Sequence, residues 1–208
     1  MRPSIQSCIF ILLLMVLVSC SKNPVLEKYG EFPEFNLINQ SGIQFDSSEL
    51  NGKIVLSNFI FTNCLEYCSV LTPLMLDQQK RLDSNKDLDN KYALISFSVD
   101  PEYDTPEILK NYSRNFGVDH STWNFLTGDP EKIKDIVTSG LKLSFGQVNK
   151  KLEHTHQDGS IHLHEYDVFH SNRIVLADKD GNIRAYFDGI NGWDGDQVYN
   201  HILDLANE

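Results

Sequence analysis

Two stretches of the chain are apolar almost without interruption: "KIVLSNFIF" (53–61) and "KYALISFSV" (91–99). Runs of that length, bounded by polar residues, read as central strands buried on both faces. A shorter run, "WNFLTG" (123–128), predicts a third strand. The spacing changes in between. "CSVLTPLMLDQQKRL" (68–82) carries Leu71, Leu74, Gln78 and Leu82 at helical intervals, with Pro73 near a first turn, where proline is tolerated. "DTPEILKNYSRNFG" (104–117) predicts a helix with Asp104 or Thr105 as N-cap, Pro106 at the first helical position and Gly117 at the end. A further helix is predicted from Asp129 to Gly140, and an amphipathic one over 194–208.

Two hairpins complete the pattern. "EFNLINQSGIQFDSSELNGK" (34–53) predicts one turning at Ser41-Gly42, and "HSNRIVLADKDGNIRAYFDG" (170–189) another turning at Asp180-Gly181. A polar, histidine-rich stretch runs from Gly146 to Asp167, and its histidine-dense part, 154–164, is expected to be a solvated loop. Strands alternating with helices, plus a late hairpin, imply an α/β fold with a mixed central sheet flanked by helices and an N-terminal hairpin extension. No internal repeat or low-complexity tract is found.

The first residues stand apart from this pattern. "MRPSIQSCIFILLLMVLVSC" has one early positive charge, Arg2, and an apolar run from Cys8 to Val18. The run is shorter than the roughly 20 apolar residues of a transmembrane helix and fits a secretory signal. Small residues lead into Cys20, as in a bacterial lipobox, where the signal is cut before the cysteine and the thiol is lipid-modified. An ordinary signal peptide or an uncleaved anchor are the alternatives. The expected organisation is a signal over 1–19, a tether over 20–32 and one domain over 33–208, outside the cytoplasm on a bacterial membrane.

Charge and cysteines narrow the function. A net charge of -11 offers no basic stripe for nucleic acid. Of four cysteines, Cys8 leaves with the signal and Cys20 takes lipid, so the domain keeps Cys64 and Cys68. A structural disulfide gains most from closing a long loop, and this pair is local. A strand-to-helix seam lowers thiol pKa through unpaired N–H groups and the helix dipole, which suits both redox chemistry and metal binding. In a regular helix, residues four apart have Cβ atoms about 5–6 Å apart, against roughly 3.5–4.5 Å in a disulfide. That favours a bridging metal, although a turn at Cys64 would relax the argument. A metal would need a third donor, and seven histidines are available: His120, His154, His156, His162, His164, His170 and His201. His120 and His201 are expected to be ordinary solvated residues, and His170 stands directly before a strand.

Three segments together resemble the Sco/SenC family. "FIFTNCLEYCSVLTP" is similar to that family's F-T-x-C-x-x-x-C-P segment, "SVDPEYDTP" to its S-V-D-P-x-x-D-T-P stretch, and "HSNRIVLADKDGNI" to its histidine block. They occur in the family's order over most of residues 33–190. The resemblance implies a thioredoxin-like fold and one copper per chain, Cu(I) or Cu(II), held by Cys64, Cys68 and His170. It implies delivery of copper to the Cu(A)-bearing subunit of cytochrome c oxidase or to another copper protein. Soft thiolates suit Cu(I) and imidazole also suits Cu(II). Asp167 is a candidate for supporting the histidine. Ser69 departs from the family's proline after the second cysteine, and Glu66 would raise a neighbouring thiol pKa slightly.

Such an assembly factor would not be an enzyme in the turnover sense. The alternative is an extracytoplasmic thiol-disulfide oxidoreductase, which needs the cysteines but not His170 as a ligand. A peroxidase of the same fold ranks lower, since no peroxidase-type motif is present. The histidine-rich stretch raises a second metal hypothesis, on His154 with His156 or His162 with His164, against the plainer reading of a solvated loop. Asp100 and Asp104 are expected to serve as turn and cap residues.

Overall fold

The computed structural model describes residues 26–63, 68–155 and 161–208. Its centre is an eight-stranded mixed sheet in the order β1-β10-β9-β4-β5-β6-β2-β3. These strands are β1 (Gly30–Glu31), β2 (Asn36–Asn39), β3 (Gln44–Asp46), β4 (Ile54–Ile60), β5 (Tyr92–Ser98), β6 (Trp123–Thr127), β9 (Arg173–Ala177) and β10 (Asn182–Asp188). Strands β4, β5 and β6 run parallel, while β9 is antiparallel to β4 and β10 to β9. The remaining strands, β7 (Phe145–Thr155) and β8 (Ile161–His170), pair with each other in a separate two-stranded ladder.

The two apolar runs form β4 and β5, and every residue of both is buried. Alternation along β4 explains why. Val55 and Phe59 join one core cluster, whereas Ile54, Leu56 and Ile60 join the other. The second cluster is covered by α1 (Cys68–Asp83) through Leu71, Met75 and Leu82, by α2 (Pro106–Phe116) through Leu109, and by α4 (Gly195–Ala206) through Val198, Ile202 and Leu205. The first is covered by α3 (Pro130–Asp135) with the π-helical turn Ile136–Gly140, and by Phe35, Leu37 and Phe45 of the N-terminal hairpin. That hairpin turns at Gly42 with φ 75°, and its strand β2 extends the sheet beyond β6.

Local signals account for the helix ends. Thr105 caps α2 by accepting from the Ile108 N–H, Pro106 follows it, and Gly117 closes the helix in the left-handed region at φ 71°. Asp129 caps α3 and Asp194 caps α4. Pro73 lies inside α1, deeper than the first turn expected for it.

Two expectations are corrected. Residues 26–32, expected as the end of a tether, pack on the domain. Gly30–Glu31 pair with β10, Leu26 and Phe32 pack against the two cores, and Arg184 donates to the Leu26 carbonyl. Prolines and charges suggested a linker, but the apolar residues among them cover a sheet edge. The polar stretch after Gly146 is a hairpin rather than a loop. Its histidines and charges hid the period-2 alternation of Ile161, Leu163 and their neighbours.

Candidate metal centre

The predicted ligands belong to two chain segments at one edge of the sheet. Strand β4 ends at Ile60, residues 61–63 follow, and α1 begins at Cys68. Cys64 and Glu66 lie outside the described residues, as does Cys20. The other segment is the end of β8 at His170, followed by Ser171, Asn172 and the start of β9 at Arg173. Because β9 is antiparallel to β4, with Ser57 opposite Val175, β9 enters the sheet at the edge where β4 leaves it. For Cys68 and His170 the structure gives backbone placement, and it brings their two segments to the same edge.

Gly189 shows how closely these segments approach. A Cβ there would stand 2.2 Å from Leu71 Cδ2, 3.0 Å from the Asn172 carbonyl oxygen and 3.5 Å from Ile174 Cδ1. Leu71 is three residues beyond Cys68, and Asn172 is two beyond His170. The missing side chain therefore lets the first turn of α1 and the linker after His170 meet over the end of β10. The Gly189 N–H donates to the Asn172 carbonyl at 3.0 Å. Asn172 Nδ2 in turn donates to Asp188 Oδ1 at 2.7 Å, and the same carboxylate accepts from the Ile190 and Asn191 N–H groups. Those backbone donors hold the Asp188 pKa below its ordinary value.

A second carboxyl fixes the segment before Cys64. Asp104 is fully buried and accepts from the Thr62 N–H at 3.2 Å, from the Thr62 hydroxyl, and from Ser98 Oγ at 2.6 Å. Burial pushes its pKa up to about 7, against the opposing pull of the Ser98 and Thr62 hydrogen bonds. Asp100 is almost fully buried, accepts the Asp104 N–H at its carbonyl, and donates its own N–H to Ser98 Oγ. Asp104 is thus not the helix cap, a role Thr105 takes, and the turn-and-cap expectation for it is corrected. Sequence reasoning missed the clamp because its partners belong to two different strand ends, Thr62 two residues past β4 and Ser98 the last residue of β5. Two aspartates just beyond a buried strand were the available signal.

Other candidates separate from this edge. Asp167 and His170 both belong to β8, for which the structure gives backbone placement. His120 is half-buried, its Nε2 within 3.1 Å of Ser113 Oγ and its Nδ1 within 3.2 Å of the Trp123 carbonyl. His201 is also half-buried, packs against the Phe187 ring at 5.7 Å, and has its pKa lowered by burial. Both hold the fold together, in place of the solvated roles expected for them. No helix among the described residues is long and apolar enough to cross a membrane.

Comparison with known proteins agrees with this architecture. The sequence profile of the SCO1/SenC family matches residues 26–207. A SCO1 protein homolog of Bacillus subtilis is 31% identical over 192 residues, covering 92% of this chain and 91% of its own. A SCO2-like protein of Rickettsia typhi is 34% identical over 160 residues, covering 77% and 70%. Among solved structures, a SCO1/SenC family lipoprotein from Bacillus anthracis superposes with a TM-score of 0.68 at 29% identity, over 85% of this chain and 95% of that one. BsSco, whose structure was described for a disulfide switch, superposes with a TM-score of 0.67 at 27% identity, over 88% and 97%. The mixed sheet with helices on both faces is the thioredoxin-like arrangement of these neighbours, and the chain belongs to the SCO1/SenC family.

Proposed function

We propose that this protein is a copper-binding assembly factor that delivers copper to the Cu(A) site of cytochrome c oxidase, or prepares the thiols of that site. Copper is its cargo, one ion per chain, held by Cys64, Cys68 and His170. The observation that carries this reading is the close approach of both Leu71 and Asn172 to Gly189, with the Cys68 and His170 segments at one sheet edge. Two thiolates and an imidazole suit copper in either oxidation state. Relatives support the class of cargo and partner: a protein of Stutzerimonas stutzeri named for copper binding is 27% identical over 183 residues, and BsSco belongs to a family of cytochrome c oxidase assembly proteins. Lipid on Cys20 would tether the domain outside the cytoplasm, in keeping with the lipoprotein neighbour.

The test is metal stoichiometry. The reduced chain is expected to retain one copper after desalting, and Cys64→Ala and Cys68→Ala to retain none. Full retention by either cysteine variant would contradict the reading.

A thiol-disulfide oxidoreductase role is the second reading, favoured by the disulfide switch described for BsSco. Under it, Cys64 and Cys68 would exchange rapidly with a thiol partner, and His170→Ala would leave that exchange unchanged.

A further inference from the structure

An ion held by side chains passes to another protein by ligand exchange, so the acceptor has to touch the surface beside the donor atoms. The outer stripe of α1 supplies such a surface. Val70, Pro73, Asp77 and Arg81 fall on one face of the helix, at intervals of three and four. Val70 is two residues beyond Cys68 and 45% exposed, one of three large apolar side chains so exposed among the described residues. Pro73 is exposed as well. Further along, the stripe becomes ionic, with Arg81 bound to Asp77 at 2.9 Å and to Asp196 at 2.6 Å. Its apolar part is confined to the end nearest the cysteine.

The loop between β10 and α4 widens this patch. Gly189 stands against Leu71, and Gln78 Nε2 donates to the Gly195 carbonyl at 3.0 Å, so the loop runs along α1. Ile190 and Trp193 of that loop are half-buried, and the Trp193 ring packs edge-on to Phe187 at 6.4 Å. Apolar and aromatic side chains inside a charged border are the anatomy of a protein–protein interface. We propose that Val70, Pro73, Ile190 and Trp193 form the docking face for the copper acceptor, and that the acceptor presents an apolar patch ringed by lysine or arginine. The inference rests on the copper-delivery reading above and adds the chemistry of the partner.

The charge of the border selects that partner. α2 flanks α1 on the side away from the loop, tied to it by Thr72 Oγ1 and the Tyr112 hydroxyl at 2.7 Å. Glu102 and Glu107 stand exposed at the start of α2. Asp188 and Asp194 bound the loop on the other side, the first ending β10 and the second capping α4. Arg173, at the start of β9, is the one basic side chain described on this border. A second copy would bring its own acidic border against this one. An anionic lipid surface is repelled in the same way by a chain of net charge -11. A basic border on the acceptor speeds encounter and fixes register.

The ion keeps its oxidation state during the exchange. Each acceptor donor that binds replaces one of Cys64, Cys68 and His170. An acceptor thiol gives up its proton as its sulfur binds, and the vacated thiolate takes one from water.

The experiment mixes the copper-loaded full chain with a reduced, copper-free Cu(A) domain, separates the two after timed intervals and measures copper in each. Copper load is measured first in every variant, so failure of the cargo reading shows before transfer begins. Wild-type transfer is expected to slow as salt is raised. Val70→Asp suits the first turn of a helix and keeps the fold. It should cut the transfer rate at least about 10-fold at full copper load. Val70→Asn, which adds no charge beside the thiols, should slow transfer too. Ile43→Asp, on an exposed apolar residue of the N-terminal hairpin, should leave it unchanged. Glu102→Lys with Glu107→Lys should slow transfer and flatten its salt dependence. Affinity of the reduced, copper-free chain for the same domain should follow the same order, which keeps the docking face testable if no copper is held. Wild-type rate and affinity in Val70→Asp, or no complex with the wild type at all, would overturn the proposal. So would self-association of the wild type that Val70→Asp abolishes, since a second copy would then occupy the face.

Discussion

Leu71 and Asn172 touch the same point of the sheet: a Cβ on Gly189 would lie 2.2 Å from the side chain of the first and 3.0 Å from the carbonyl oxygen of the second. One residue opens the helix after the cysteines and the other closes the linker after His170. Their shared approach to one glycine couples the positions of the two proposed ligand segments. Gly189→Ala should therefore act on both stability and copper binding. Leu71 is fully buried and the Asn172 partner is backbone, so neither yields without moving its segment. Overpacking of this kind costs about 1–3 kcal/mol, visible as a lower urea midpoint. Copper affinity should fall in the same variant. Leu71→Ala opens a cavity by itself, yet the double variant should lose less stability than the sum of the singles, since the methyl then occupies vacated space. Strict additivity would show that the contact does not couple them.

Asp104 gives a pH signature. Burial holds its folded pKa near 7, above the ordinary 3.8, so the folded state keeps its proton where the unfolded state has lost it. Its contribution to stability is largest below the unfolded value, declines as pH rises from about 4 to 7, and is level above that. Asp104→Asn removes the titration. The difference in unfolding free energy between wild type and Asp104→Asn should shift in favour of wild type as pH is lowered from 8 to 5. Parallel curves would mean that the carboxyl titrates normally.

Arg184 is a buried cation, 2% exposed, and binds Asp178 at 2.9 Å, Glu208 at 2.7 Å and the Leu26 carbonyl. It joins a hairpin turn to both ends of the described chain. Burial pushes the Asp178 pKa up, but the Asn182 N–H and Arg184 hold it below its ordinary value. This carboxylate therefore stabilises the fold above the unfolded pKa and ceases to do so as acid protonates it. Arg184→Ala leaves a buried carboxylate without its cation and should cost about 3–5 kcal/mol in urea unfolding. Residues 26–31 should then exchange their amides faster. A loss below about 1 kcal/mol, the range of a surface pair, would contradict the burial argument.

The sequence was most legible where one signal dominated. Buried strands β4 and β5 announced themselves by apolar runs, and α2 by Thr105, Pro106 and Gly117. Legibility failed where a pattern was covered by composition. Leu26 and Phe32 sit among charges and prolines, so their docking read as a tether. The β7–β8 strands alternate, but histidine and glutamate masked the period. For the site, family motifs singled out Cys64, Cys68 and His170, whereas the partners that position their segments were invisible. Thr62 with Asp104 spans 42 positions, and Leu71 with Asn172 about a hundred, and only the sheet order brings either pair together.

The central claim is that sulfur from Cys64 and Cys68 and nitrogen from His170 meet at one copper ion. Visible absorption during Cu(II) titration of the reduced chain, beside His170→Ala, tests it most directly. A thiolate-to-Cu(II) charge-transfer band saturating at one copper per chain, shifted or abolished in His170→Ala, is the predicted result. An identical band and stoichiometry in the two proteins would remove the histidine from the site and leave the cysteine pair to act alone.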